Sequence, residues 1–251
     1  MKTKVFLMTL ALSCLWSCQQ EEETKQPNEP RMSFTGVVIG EGNLTRGLGS
    51  DIDIISMSTN LEETFTVLNI KEDTRSWSEY GDVNDVVFYA HYPRLSGEDE
   101  FDEETRELTG GMDYLFGVAT AKNGQQQVCL EFKHVTSPLQ VEILNEDGSI
   151  YQGKVKVIAP VKNKGKQDLR TGVITPVNEL NRVTLVDGNS RTVNLLPQAI
   201  TKGTEFKVEL EDGRTFTAKT TETQTLKPGY SYTVVINSNG TSYIVDGAIP
   251  L

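Results

Sequence analysis

From Val128 to His134 the chain reads Val-Cys-Leu-Glu-Phe-Lys-His, with Val128, Leu130 and Phe132 all on one side of a period of two. That period fits a strand with one buried face. The same habit fills the chain beyond residue 32, where no stretch sustains a helical period. Strands are expected at Phe34 to Ile39, Ile52 to Ser56, Thr64 to Leu68, Val86 to Tyr92 and through Leu139, Val141 and Ile143. Further candidates are Lys154 to Ile158, Arg182 to Val186, Phe206 to Leu210, Thr215 to Thr217, Tyr232 to Ile236 and Tyr243 to Val245. Turn residues punctuate them, as in Asn145-Glu146-Asp147-Gly148, and Asp212-Gly213 is a hairpin signal. Many short strands with turns between them predict an all-β chain of sandwich type. About 215 residues of this pattern suit two small domains better than one.

Composition narrows the function classes. The 251 residues carry 35 acidic and 24 basic side chains, a formal net charge of -11. An acidic chain is a poor partner for nucleic acid, whose phosphates need a basic face. The charge is divided unevenly. Residues 33–150 hold 7 basic and 22 acidic side chains, whereas residues 153–251 hold 13 and 9. This split places a domain boundary near residue 152 and favours head-to-tail contact between copies by charge complementarity.

The N-terminus reads as an address. Lys2 and Lys4 precede a mostly apolar run from Val5 to Trp16. That run is shorter than the roughly 20 residues that span a bilayer, and it fits a secretory signal. Leu15-Trp16-Ser17-Cys18 resembles a bacterial lipobox, which makes Cys18 the expected lipidation site and residues 1–17 the signal peptide. Cys14 is a poorer alternative because it shortens the apolar run. Gln19-Gln20-Glu21-Glu22-Glu23 resembles the surface-export signal of Bacteroidetes lipoproteins. Residues 18–32 are polar, include Pro27 and Pro30, and are expected to form a tether.

Catalytic chemistry is poorly provided for. The two histidines, His91 and His134, both lie in strand patterns and read as structural. Cys129 reads as a small buried hydrophobe. Seven acids between Glu98 and Glu107 lack the spaced ligands and turn glycine of a calcium loop and read as a solvated run. Gly40-Glu41-Gly42 lacks the third glycine and the helix of a dinucleotide site. No enzyme activity, cofactor or metal site is expected.

Four segments carry a family resemblance. Val86 to Pro93 ends in Ala90-His91-Tyr92-Pro93, Asp113 to Gly117 reads Asp-Tyr-Leu-Phe-Gly, Leu130 to Leu139 contains Phe132, His134 and Pro138, and Leu226 to Tyr232 contains Pro228-Gly229. In this order they resemble the fimbrillin-like proteins of Bacteroidetes. The resemblance implies two tandem transthyretin-like β-sandwiches, residues 33–152 and 153–251. It implies a lipoprotein precursor of a type V pilus subunit, lipid-anchored at the outer membrane and carried into the fimbrium after processing. An arginine-specific, trypsin-like protease would cut after Arg46, in a Thr45-Arg46-Gly47 sequence similar to the family's site; Arg31 is the rival.

Cutting would free the strand from Met32 to Gly40 and open a groove of unpaired backbone groups, which a strand of another subunit could fill. Ser242 to Leu251 is the candidate donor segment, and its shortness favours a tip or accessory subunit over a stalk subunit. Partners are then other pilus subunits, outer-membrane lipid through Cys18, and a host or bacterial surface ligand. The alternative is a surface lipoprotein that never polymerises and binds a glycan or host protein, with Trp77 as its stacking residue. The anchor is directly testable: Cys18→Ala should move the protein from the membrane fraction to the soluble fraction, and retention in the membrane contradicts lipidation at Cys18.

Overall fold

The computed structural model describes residues 30–39, 45–47, 53–62, 64–95 and 104–246. The expectation of an all-β chain holds. In chain order the first strands are β1 (Arg31–Ile39), β2 (Thr45–Gly47), β3 (Ile54–Thr59), β4 (Thr66–Asn69) and β5 (Thr74–Ser76). A single helical turn, Trp77–Tyr80, leads to β6 (Asp85–Tyr92), β7 (Thr105–Thr109), β8 (Leu115–Lys122) and β9 (Gln127–His134). Then come β10 (Ser137–Leu144), β11 (Val155–Val161), β12 (Lys164–Asp168), β13 (Ile174–Pro176), β14 (Asn181–Gly188) and β15 (Thr192–Leu195). The last are β16 (Gln198–Ile200), β17 (Glu205–Leu210), β18 (Thr215–Thr220), β19 (Gln224–Leu226), β20 (Tyr232–Asn237) and β21 (Thr241–Asp246).

The first sheet runs β2-β1-β9-β8-β6-β3-β4, with β5 beside the start of β1. Two strands separate β1 from β6, so a flat sheet would hold them about 14 Å apart. Yet the rings of Phe34 on β1 and Phe88 on β6 meet edge-to-face with centroids 5.3 Å apart. The sheet therefore curls around its core. Phe88 in turn meets Tyr80, and Tyr80 meets Trp77. Met32, Leu130 and Phe132 fill the space around this aromatic run and are fully buried.

The second sheet runs β14-β11-β17-β18-β21-β20-β10-β15 and encloses a separate core built on Leu139, Val157, Phe206 and Val234. Its membership does not follow the charge split near residue 152. β10 lies before that position, yet it pairs with β20 along six residues and with β15 on its other side. The sheets divide between His134 and Ser137, where the charge count had no signal to offer. At the other end, Arg31 and Met32, assigned above to the tether, are strand residues of β1.

A third, three-stranded sheet, β13-β12-β7, ties the halves together, since β7 comes from the first and β12 and β13 from the second. Leu108, Tyr114, Val135 and Leu196 bury a small core under it. Arg170, on the turn after β12, crosses to the first half. It donates to Ser58 Oγ at 2.8 Å, Thr59 O at 2.9 Å and Glu62 O at 2.9 Å, and lies over the rings of Phe65 and Tyr89. Arg106 on β7 is buried; it donates to Gln167 Oε1 and Pro93 O and covers the Tyr114 ring. Gly172 backs onto the Phe116 ring with φ of 74°, so a side chain there would overlap the ring and strain the backbone.

His91 sits inside this junction between the rings of Phe65 and Phe116. Its Nε2 donates to Leu169 O at 2.9 Å, which leaves Nδ1 as the bare acceptor, buried and without a partner. Burial and then the nearby Arg106 charge lower its pKa to about 3; Arg170 adds to this, against the Leu169 carbonyl and Asp168. An unfolded histidine titrates near 6.5. Between those values the unfolded chain binds the extra proton, so this group's contribution is intact above pH 6.5 and is lost as the pH falls toward 3, at up to about 1.4 kcal/mol per pH unit. The stability difference between the native chain and His91→Gln, from denaturant melts at pH 7 and pH 4.5, should change in favour of the variant on acidification. Parallel loss in both proteins would contradict this.

Candidate functional site

The candidate site is the seat of β1. On one flank β1 runs parallel to β9, with Ser33 to Val38 in register with Gln127 to Phe132. On the other flank its start pairs with β5, Arg31 opposite Ser76 and Ser33 opposite Thr74. Its end pairs with β2, Val37 opposite Gly47 and Ile39 opposite Thr45. Only β9 is a continuous rail. Among the described residues no strand pairs with Phe34, Thr35 or Gly36 on the other flank.

Side chains follow the alternation of β1. Met32 and Phe34 are buried, and Val38 packs against the same core from a half-buried position. Arg31, Ser33 and Thr35 face outward. Burying Met32 and Phe34 contributes about 1.5–3 kcal/mol each, and the β9 ladder adds its hydrogen bonds. A cut in the connection beyond β1 therefore does not by itself expel the strand. Expulsion would leave the β9 edge and two large apolar sockets open to water, and a replacement strand supplying both relieves that cost.

The residues singled out in the sequence occupy distinct places. Arg46 lies in β2, backbone-paired with Val38 at one end of the sheet order. Its rival Arg31 is within β1, where Nε donates to Thr74 Oγ1 at 2.8 Å. Cys18, the signal peptide, the export-like acidic residues, Gly40-Glu41-Gly42 and the acids from Glu98 to Glu103 lie outside the described residues. Glu107 is on β7, next to the buried Arg106. Trp77 does not present a stacking face: it is 6% exposed, and its indole N–H donates to Gln125 O at 3.0 Å. The curl of the first sheet turns the helical turn inward and removes this residue from the surface. Cys129, expected in the core, is exposed on the outer face of β9, because Val128 and Leu130 take the inward positions. Across the ladder from it lies Thr35.

The proposed donor segment also has a defined place. Residues 241–246 form β21, paired antiparallel to β20 and in parallel with β18. Ser242 and Ile244 are buried there. Residues 247–251 lie outside the described residues. Sequence reasoning missed the β5 clamp; three residues, Thr-Arg-Ser, are too few to show a period.

The motif segments meet at the junction. His134 Nδ1 and Thr136 Oγ1 both bond Asp113 Oδ1, at 2.9 and 3.1 Å. Gly229 N–H donates to Thr136 O with φ of 77°, and Ser137 Oγ donates to Lys227 O at 2.7 Å. His91 and Pro93 join from β6 through Leu169 and Arg106. These residues hold the halves together; none of them converges on a nucleophile or an open pocket of reactive groups.

Comparison with known proteins agrees with this geometry. A proposed cell adhesion protein from Bacteroides thetaiotaomicron is 32% identical, with a TM-score of 0.65, covering 88% of this chain and 99% of its own. One from Bacteroides ovatus is 16% identical with a TM-score of 0.66, covering 89% and 98%. One from Bacteroides uniformis is 17% identical with a TM-score of 0.61, covering 88% and 99%. At those lower identities the last two speak to the fold alone. No curated protein matches. The fimbrillin-like family model matches residues 45–249, so this chain belongs to the fimbrillin-like family.

Proposed function

We propose that the protein is a cell-surface pilus subunit without catalytic activity, which assembles when β1 is cut free and replaced by a strand of another subunit. The observation that carries this reading is the seat of β1: one continuous parallel rail, two deep apolar sockets and partial cover on the outer flank. Family membership and the adhesion proposed for the similar Bacteroides thetaiotaomicron protein support the adhesive role. Processing after Arg46 fits the topology, because a cut there separates β1 from the rest of the first half.

The donor strand comes from elsewhere than β21, which is paired with β20 from Ser242 to Asp246 and with β18 at Thr241 and Ser242. That commitment favours a tip or accessory position, which needs a groove to receive a strand but no strand to give. The precursor is held at the outer membrane by lipid on Cys18 and leaves the lipid when β1 leaves. The opposed charges of the two halves assist head-to-tail approach.

Limited trypsin treatment of residues 19–251, followed by intact mass and uptake of a labelled peptide with the sequence of residues 31–40, tests this reading. The first cut should fall after Arg46 and disappear in Arg46→Ala. Only the cut protein should take up the peptide, and a peptide with Phe34→Ala should bind on the order of a hundredfold more weakly, as expected for an emptied core socket. A first cut elsewhere, or cut protein that takes up no peptide, contradicts it.

A further inference from the structure

A cut after Arg46 falls inside β2, so Thr45 and Arg46 stay on the β1 side of it. When β1 leaves, the outer flank of the seat keeps only β5. β5 is three residues long and pairs with no strand other than β1. A strand that short frays once its ladder is gone, unless side chains hold it.

Side chains do hold it. Arg75 Nη2 donates to Thr66 Oγ1 on β4 at 2.6 Å, and its Nη1 donates to Glu79 Oε2 at 3.1 Å. Ser76 N–H donates to Glu79 Oε1 at 2.8 Å. The chain enters β5 from a turn closed by Asp73 N–H to Asn69 O at 2.9 Å and by Asn69 N–H to Asp73 Oδ2 at 2.7 Å. It leaves β5 into the buried Trp77. None of these bonds involves β1. The bond to Thr66 is the one that ties β5 to another strand of the sheet, and it is charge-assisted.

The backbone of β1 shows what this flank offers an incoming strand. Ser33 N–H donates to Gln126 O at 2.9 Å, on the β9 side. Backbone groups of successive strand residues point to opposite flanks, so the N–H and C=O of Met32 face β5, where Arg75 is the register partner. The Arg31 side chain reaches the same flank at Thr74. We infer that β5 is a standing wall of the groove, positioned by the Arg75 side chain, and that it fixes the register of the incoming strand by pairing with the residue two before its aromatic anchor. The inference rests on the strand-exchange reading and specifies the partner's chemistry. The partner is an extended segment with large apolar residues at the Met32 and Phe34 positions and a free backbone N–H at the first of them, which excludes proline there.

The test compares two labelled peptides of residues 31–40, one native and one methylated on the Met32 nitrogen, for uptake by the protease-cut protein. Methylation removes the backbone donor aimed at β5 and leaves every side chain in place. The native peptide should bind about tenfold more tightly, as expected for a lost backbone bond and its displaced reciprocal. In Arg75→Ala this ratio should shrink toward unity. Thr66→Val is nearly isosteric, removes only the acceptor on β4, and should shrink the ratio too. A general loss of structure would instead weaken both peptides alike and leave the ratio unchanged. Equal binding of the two peptides to the unsubstituted cut protein, or a ratio that survives both substitutions, would overturn the inference alone. No uptake of either peptide would overturn strand exchange and the inference together.

Discussion

The first half of this molecule depends on a strand that reaches it from the start of the described chain and pairs, in parallel, with a strand some ninety residues further on. Parallel pairing of β1 with β9 supplies the backbone partners for an inner edge, and Met32 and Phe34 supply the apolar mass over the curl of the sheet. Neither contribution is peculiar to this strand. Backbone groups of any extended chain can make the ladder, and any residues of suitable size at alternate positions can fill the sockets. The same physics that makes β1 necessary makes it replaceable. What keeps it in place is the combined cost of an open sheet edge and emptied sockets.

The second constraint is the junction. A three-stranded sheet shared by both halves, Arg170 reaching into one half from the other, and Arg106 buried against Gln167 and Pro93 leave few polar groups unmatched there. Polar networks of this kind rigidify an interface where their members are satisfied. The motif residues Asp113, His134, Thr136 and Gly229 serve this purpose.

Much of the fold was legible because burial imposes a period. β6, β9, β10 and β17 alternate over most of their six to eight residues, β20 is a buried apolar run, and all five stand within a residue or two of where the pattern placed them. The strands that escaped are short or polar. β7 reads Thr-Arg-Glu-Leu-Thr and continues an acidic run, so it looks solvated; it is a strand because Lys164–Asp168 pairs with it from far along the chain. Arg106 is buried there against expectation, since its partners Gln167 and Pro93 are likewise distant. The point where the sheets divide was hidden for a related reason: charge marks surfaces, whereas the division is set by which edge Ser137–Leu144 joins. Trp77 shows the same limit, because local polarity suggested exposure and only the curl of the sheet determines that the ring points inward.

The central claim is that β1 must leave its seat before subunits join. Thr35 and Cys129 are register partners on the outer face of β1 and β9, and both are exposed, so Thr35→Cys places a second thiol directly across from the native one. Neighbouring strands bring such residues within the reach of a disulfide. The measurement is uptake of a labelled peptide of residues 31–40 by the protease-cut Thr35→Cys protein, oxidised and then reduced. The account predicts that the closed disulfide retains β1 and blocks uptake, and that reduction restores it. Equal uptake with the disulfide closed would show that a strand can join while β1 stays in place and would contradict the account.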